Sequence, residues 1–370
     1  MLTKFASPIF VTRPYLPPLE DFKQGLKEVW DSQWLTNNGP MLCKFQTALS
    51  SYLKVPETNL ALFANGTLAL ELGYQALGLA GGEIITTPFT FVATSHAMKR
   101  IGARPVFADI DPETLCLDPA KVEPLIRPGV TKAIVPVHVY GHVCDLDGFR
   151  RLGEKYGVPI IYDAAHAFGV KDVEKQGAMS MFSFHPTKLF HSCEGGLLVF
   201  KDVSLQNRLY ELRNFAIHSE TECTDVGSNA KMNELQALMG LQCLDKIDDL
   251  LARRRQIYDT YAEAFGTTEI PVRENKVRLL PFSANHAYIP VLFDSFALRE
   301  RVYTELREKC NVFSRRYFYP LLTDFPPYAY AKGTCQIAEN IASRVLTLPT
   351  YHDLALDAVR AIARNVLEII

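Results

Sequence analysis

The stretch S-F-H-P-T-K-L-F-H-S-C-E-G-G at residues 183–196 sets one lysine, Lys188, in a polar turn between two apolar runs. It stands five residues after Ser183 and six before Glu194-Gly195-Gly196. A lysine held there near the core would be short of water, which favours the neutral amine that a Schiff base requires. On its own it reads first as a surface residue of a hairpin loop. Upstream, I-I-Y-D-A-A-H-A-F-G (160–169) is an apolar strand that ends on Asp163, followed by His166. A carboxylate at a strand end can pair with a protonated ring nitrogen, or it can cap a helix. His166 is otherwise a satisfied histidine near the core. N-G-T-L-A-L (65–70) opens a helix directly after a strand. Backbone amides there, with small Gly66 and the Thr67 hydroxyl, would make a phosphate cradle, although many strand-to-helix turns look alike.

The order of these parts is more specific than any one of them. A phosphate turn, then a strand-end aspartate, then Ser-x-x-x-x-Lys ahead of E-G-G suits pyridoxal phosphate: an anion site, a partner for the pyridine nitrogen and an amine for the aldehyde. No G-x-G-x-x-G or G-x-x-x-x-G-K-[ST] follows a strand, which counts against dinucleotide or P-loop binding.

The elements that must hold these residues alternate in type. L-A-L-F-A (60–64), E-I-I-T-T-P (83–88), P-V-F-A-D-I, K-A-I-V-P-V-H-V-Y and V-P-I-I-Y-D-A read as strands. Helical patterns over 41–54, 66–77 and 91–100 lie before and between them. This predicts an α/β fold with a mostly parallel central sheet flanked by helices on both faces. M-S-M-F-S-F-H (179–185) and G-G-L-L-V-F (195–200) read as two strands with no helix between them, and one long helical stretch is predicted from Asn233 to Tyr261. Strand and helix patterns over 287–293 and 295–309 suggest a smaller C-terminal α/β lobe. The expected division is a large domain over 14–250 and a small one over 251–370, with 1–13 packing on the small one. In open parallel sheets, ligands bind beyond the carboxyl ends of the strands, where Asn65-Gly66-Thr67, Tyr140-Gly141 and Asp163 would lie.

Composition narrows the function classes. With 370 residues, 48% of them apolar and 22% charged, the chain is neither disordered nor coiled-coil. Its 39 basic residues are balanced by 41 acidic ones, so no basic excess points to nucleic acid or an anionic membrane. Eight scattered cysteines form no C-x-x-C pair, which argues against a zinc site or disulfide scaffold and predicts reduced thiols. With no apolar run resembling a leader or membrane span, the expectation is a cytoplasmic protein.

Over most of its length the sequence resembles the DegT/StrS group of sugar aminotransferases, pyridoxal-phosphate enzymes of fold type I. The resemblance runs through W-L-T-N-N-G-P (34–40), F-A-N-G-T-L-A-L (63–70), T-P-F-T-F-V-A-T-S (87–95) and P-V-H-V-Y-G (136–141). It continues in Y-D-A-A-H-A-F-G (162–169), S-F-H-P-T-K (183–188), G-S-N-A-K-M-N-E (227–234) and R-R-Y-F-Y-P-L (315–321). It implies that Lys188 bonds the cofactor and then shuttles a proton, that Asp163 pairs with the pyridine nitrogen, and that His166 lies against the phenolic oxygen. Phe91 would stack on the ring; Gly66, Thr67 and Ser183 would hold the phosphate. Asn229 would reach the phosphate of a neighbouring subunit, with Lys231 in the basic position after it, so that a homodimer completes the site. Pro186 departs from the commoner small residue, and His166 fills a position that is glutamine in some relatives. A subgroup with histidine at the lysine position is a dehydratase; Lys188 disfavours that activity.

The resemblance further implies transfer of an amino group from L-glutamate to a dTDP-linked 4-keto-6-deoxyhexose, in deoxyaminosugar and O-antigen biosynthesis. Amination at carbon 3 of a dTDP-3-keto-6-deoxyhexose is the alternative, and a non-catalytic sugar-binding or regulatory homologue is the alternative of a different class. Asn37, Tyr317 and Tyr319 are the expected sugar-side residues, though the two tyrosines are equally explained by packing. Arg315, Arg316 and His185 are the candidates for the diphosphate.

Overall fold

The computed structural model describes every residue except 267–269, 273, 274 and 282. Seven strands build the main sheet: β1 (Leu60–Phe63), β2 (Glu83–Thr86), β3 (Arg104–Phe107), β4 (Thr131–Val135), β5 (Ile161–Asp163), β6 (Met179–Ser183) and β7 (Gly196–Phe200). Two ladders, β1-β7-β6-β5 and β3-β2-β4, are joined by parallel bridges at Ile134–Ile160 and Val137–Asp163. The spatial order is therefore β1-β7-β6-β5-β4-β2-β3. Only β7 runs against its neighbours, antiparallel to both β1 and β6. The connection 184–195 contains no helix, and a parallel crossover is usually carried by one, so the chain turns straight back.

Helices that cover this sheet include α1 (Leu19–Ser32), α2 (Pro40–Leu53), α3 (Gly66–Ala76), α4 (Val92–Arg100), α5 (Leu146–Tyr156) and α6 (Glu234–Leu244). Period-2 alternation divides β1 and β7 between two cores. Leu60 and Leu62 of β1 pack with Phe45 of α2 and Leu238 of α6, whereas Ala61 and Phe63 pack with Leu70 of α3 and Met98 of α4. Burial on both faces is why L-A-L-F and G-L-L-V-F carry no polar alternation.

The single helix expected from Asn233 to Tyr261 is two: α6 and α7 (Ile247–Phe265). They serve different cores. Ala237 and Leu238 of α6 lie in the core shared with α1 and α2, while Ile257, Tyr261 and Phe265 of α7 bury against a second sheet. Asn233 caps α6, accepting the Gln236 amide hydrogen at 2.9 Å, while the Gln236 side chain accepts that of Asn233 at 3.0 Å.

The second sheet is antiparallel, in the order β8 (Ile270–Val272), β9 (Asn275–Leu279), β10 (Ile289–Phe293) and β11 (Val345–Leu348). It shares a core with α7, α8 (Phe296–Cys310) and α9 (Leu356–Ile369). Ile9 pairs in parallel with Val312 and belongs to that same core. All eight cysteines are free. Among the described residues, no helix is long and apolar enough to cross a membrane.

Candidate active site

The carboxyl ends of β1, β5 and β6 bring distant parts of the sequence to one edge of the sheet. β1 runs into the Asn65 turn, β5 ends on Asp163 and β6 ends on Ser183. Because β7 is reversed, its first residue, Gly196, arrives at the same edge, opposite both Phe63 and Ser183. Asn65 caps α3 by accepting the Leu68 amide hydrogen at 2.9 Å. The amides ahead of that bond, at Gly66 and Thr67, belong to the first turn, where the helix offers no carbonyl partner. The packing around the two glycines is tight. A Cβ on Gly66 would sit 3.1 Å from Ser183 Cβ, and one on Gly196 would fall 2.5 Å from the Asn65 carbonyl oxygen.

A cavity of about 1000 Å³ opens over this edge, lined among others by Asn65, Gly66, Thr67, Phe91, Thr94, Asp163, His166, Ser183, His185, Lys188, Glu194, Arg315 and Tyr317. Asp163 is buried. Its Oδ2 accepts the Thr94 hydroxyl at 2.7 Å and its Oδ1 the Ala165 amide hydrogen at 3.1 Å. Burial nevertheless raises the carboxyl above its ordinary range, against those two hydrogen bonds and the charge of Lys188. A buried carboxylate raised in this way is completed by a cation or a protonated ring nitrogen. His166 is also buried, and its Nδ1 accepts the Tyr140 amide hydrogen at 3.1 Å. Burial first, and Lys188 second, hold its acidity well on the neutral side. The ring is therefore the Nε2–H tautomer, with a hydrogen to donate.

The model of the DegT/DnrJ/EryC1/StrS aminotransferase family matches residues 19–367. The chain belongs to this family. It is 41% identical to the dTDP-4-amino-4,6-dideoxy-D-glucose transaminase of Shigella dysenteriae over 374 residues, covering 98% of this chain and 99% of that protein. With the transaminase of the same name from Escherichia coli it shares 37% identity over 369 residues, 96% of this chain and 97% of the relative. Among solved structures, DesI in the presence of its TDP-sugar product matches with a TM-score of 0.88 at 32% identity, covering 99% of this chain and 94% of DesI. The protein is a pyridoxal-phosphate-dependent sugar aminotransferase of fold type I.

The residues around this cavity fit that cofactor. The Gly66–Thr67 turn with Ser183 is a cradle for an anion, closed on one side by Gly196, where a Cβ would collide with the Asn65–Gly66 backbone. Asp163 is the buried acceptor that a pyridine N–H⁺ requires, and Lys188 lines the same space. Phe91, which the resemblance sets against the ring, is 53% exposed at the start of α4 and lines the cavity.

The substrate-side expectations divide. Tyr317 lines the cavity, with its hydroxyl pushed up to about 12 by burial. Tyr319 does not line it; its ring packs 5.8 Å from Phe296 and lies under the Arg299 guanidinium at 4.4 Å, the packing role. Arg315 and His185 line the cavity, whereas Arg316 is held by Glu300 at 2.9 Å. Asn37 and Asn229 lie outside this chain's cavity. Asn229 is exposed and accepts a hydrogen bond from Lys231 at 2.8 Å; Lys231 also reaches Asn214. Asn37 is exposed beside Asn38, whose side chain accepts a hydrogen bond from the buried Arg213. Three site residues were not found from the sequence: Thr94, Glu194 and Tyr288. Glu194 lies 3.6 Å from His185 Nε2. Thr94 was within the quoted T-F-V-A-T-S run; Tyr288 carried no signal, because a tyrosine before an apolar strand reads as core.

Proposed function

We propose that the protein transfers an amino group from L-glutamate to carbon 4 of a dTDP-linked 4-keto-6-deoxyhexose, giving dTDP-4-amino-4,6-dideoxyglucose. The observation that carries this reading is the gathering of Asp163, His166, Ser183, Lys188 and the Gly66 turn around one cavity. The two transaminases named above, which carry that sugar in their names, support the substrate. A cavity of about 1000 Å³ is at the upper end for small-molecule sites and suits a nucleotide-linked sugar beside a cofactor.

When bound, pyridoxal phosphate supplies a carbon that accepts the amine and a ring that takes up the electron pair of a breaking C–H bond. The chain's residues do the rest. Gly66, Thr67 and Ser183 bind the phosphate at the start of α3, where amides and helix dipole favour an anion. Asp163 stays ionised against the ring nitrogen, held in place by Thr94 and the Ala165 amide. His166 would offer its Nε2–H to the phenolic oxygen of the cofactor, and Phe91 would cover its ring. Lys188 would hold the cofactor and move a proton to and from the substrate carbon. Tyr317 lines the sugar site, and the cationic Arg315 with His185 faces the diphosphate. Asn229 and Asn37 serve the cavity of a second copy, so the working unit is a homodimer. The exposed apolar side chains Trp34, Leu35, Phe215, Ile217 and Leu235 around them support a surface of that kind.

The test is the visible spectrum of the purified enzyme with pyridoxal phosphate. Adding L-glutamate should convert the lysine-bound band to that of the aminated cofactor, and adding the dTDP-4-keto sugar should restore it. A band indifferent to glutamate removes the donor; no band at all removes the reading.

A further inference from the structure

Lys188 has a second neighbour that the roles above do not use. Beside it, sharing Ala165 and His166 with the main cavity, lies a small space of about 10 Å³ bounded by Ala165, His166, Phe168, Lys188, Ala287 and Tyr288. That is at the lower limit for holding a single water. The buried Tyr288 presents its hydroxyl 3.5 Å from Lys188 Nζ. Its ring lies 4.6 Å from that of His166 and 5.8 Å from that of Tyr317. We propose that the Tyr288 hydroxyl is the resting partner of the Lys188 amine, accepting its hydrogen bond whenever the lysine is not bonded to cofactor and holding it ready for proton transfer.

Three observations make Tyr288 a fixed rather than an incidental partner. It directly precedes β10, whose Ile289 is paired with Leu348 of β11. Just before it, the buried Asn285 donates to the His166 carbonyl at 2.8 Å and the Phe168 carbonyl at 3.0 Å, and its Oδ1 accepts the Ala287 amide hydrogen at 3.2 Å. The segment bearing Tyr288 is thereby tied to the loop bearing His166. Finally, that space has room for no more than about one water, so an amine turned into it meets Tyr288. A lysine amine rotates about four carbon–carbon bonds, and fixing it in one place is the kind of ordering that shortens the search for the reacting carbon. The inference rests on the reading of Lys188 as the cofactor lysine. The other titratable groups that face the amine are Asp163, His166, His185 and Tyr317.

Tyr288→Phe keeps the ring and removes the hydroxyl. The first measurement is the rate at which apoenzyme captures pyridoxal phosphate, followed by the growth of the visible band; it should fall at least five-fold. The second is the single-turnover reaction with glutamate, whose limiting rate should fall about ten- to a hundred-fold with half-saturation unchanged. Tm should stay within two degrees, which separates this loss from a repacking effect. An unchanged capture rate, an unchanged limiting rate, or a shift carried by half-saturation overturns the proposal. A wild-type enzyme that forms the band but ignores glutamate defeats the proposed donor instead, and leaves the capture measurement to decide Tyr288.

Discussion

Asp163 is buried beside Thr94 and the Ala165 amide, and burial raises its carboxyl despite both hydrogen bonds. In apoenzyme this has a sign that can be measured. The unfolded chain releases the Asp163 proton at lower pH than the folded chain does. Between those two points the unfolded state binds fewer protons, so stability falls as pH rises through the window and stays reduced above it. Asp163→Asn removes the titrating group while keeping its shape. The apoenzyme variant should melt at a higher Tm than wild type at pH 8, with the gap closing as pH falls toward 4; calorimetry at both values checks it, and a lower Tm at both would refute it. Turnover should be lost, because a neutral amide does not hold a protonated ring nitrogen. Lys188→Ala should abolish turnover with the circular dichroism spectrum unchanged, and transamination surviving in that variant would remove the lysine from the mechanism.

At the scale of elements, the cradle depends on β1, β6 and the reversed β7 ending at one edge. Gly196 faces the Asn65–Gly66 turn so closely that a Cβ would meet the Asn65 oxygen at 2.5 Å and the Gly66 nitrogen at 2.8 Å, both backbone atoms that cannot rotate aside. Gly196→Ala should therefore cost about 1–3 kcal/mol of stability by overpacking. It should also weaken pyridoxal phosphate binding about ten-fold or more, read by titration of the visible band; unchanged affinity would mean that the turn is not the phosphate site. This is also where the sequence is most informative. Asp163, Ser183 and Gly66 stand at strand ends, so apolar runs a few residues long place them, and the absence of a helix between 183 and 196 places Lys188. Residues brought in by separate elements are harder to read. Tyr288 reaches Lys188 from 100 residues away, and its role depends on how Asn285 ties two loops together. Tyr317 and Tyr319 share one motif, yet only Tyr317 lines the cavity. The pattern of types around them cannot separate the two, because that choice is made by the ring of Phe296 and the guanidinium of Arg299.

At the scale of the whole molecule, two residues of the motif set are out of place in a single chain. Asn229 and Asn37 both stand on an exposed face, linked to the interior through Lys231 and Asn214 on one side and through Asn38 and the buried Arg213 on the other. Arg213 also donates to the Leu62 carbonyl of β1 at 2.7 Å, so this face is held rigidly to the strand that leads into the Gly66 turn. If Asn229 completes the site of a second copy, two different inactive variants should repair one another. Lys188→Ala chains keep a sound Asn229, and Asn229→Asp chains, which place a negative charge where a phosphate should lie, keep a sound Lys188. Mixed dimers then contain one site with both residues intact and one with neither. Random assortment makes half of the dimers mixed, so about a quarter of wild-type turnover should return when the variants are refolded together or co-expressed. Each variant alone should stay near zero. Recovery with the expected share of mixed dimers would place Asn229 in the partner's site. No recovery, with mixed dimers demonstrated by mass spectrometry, would confine the working site to one chain and leave Asn229 a role in packing alone.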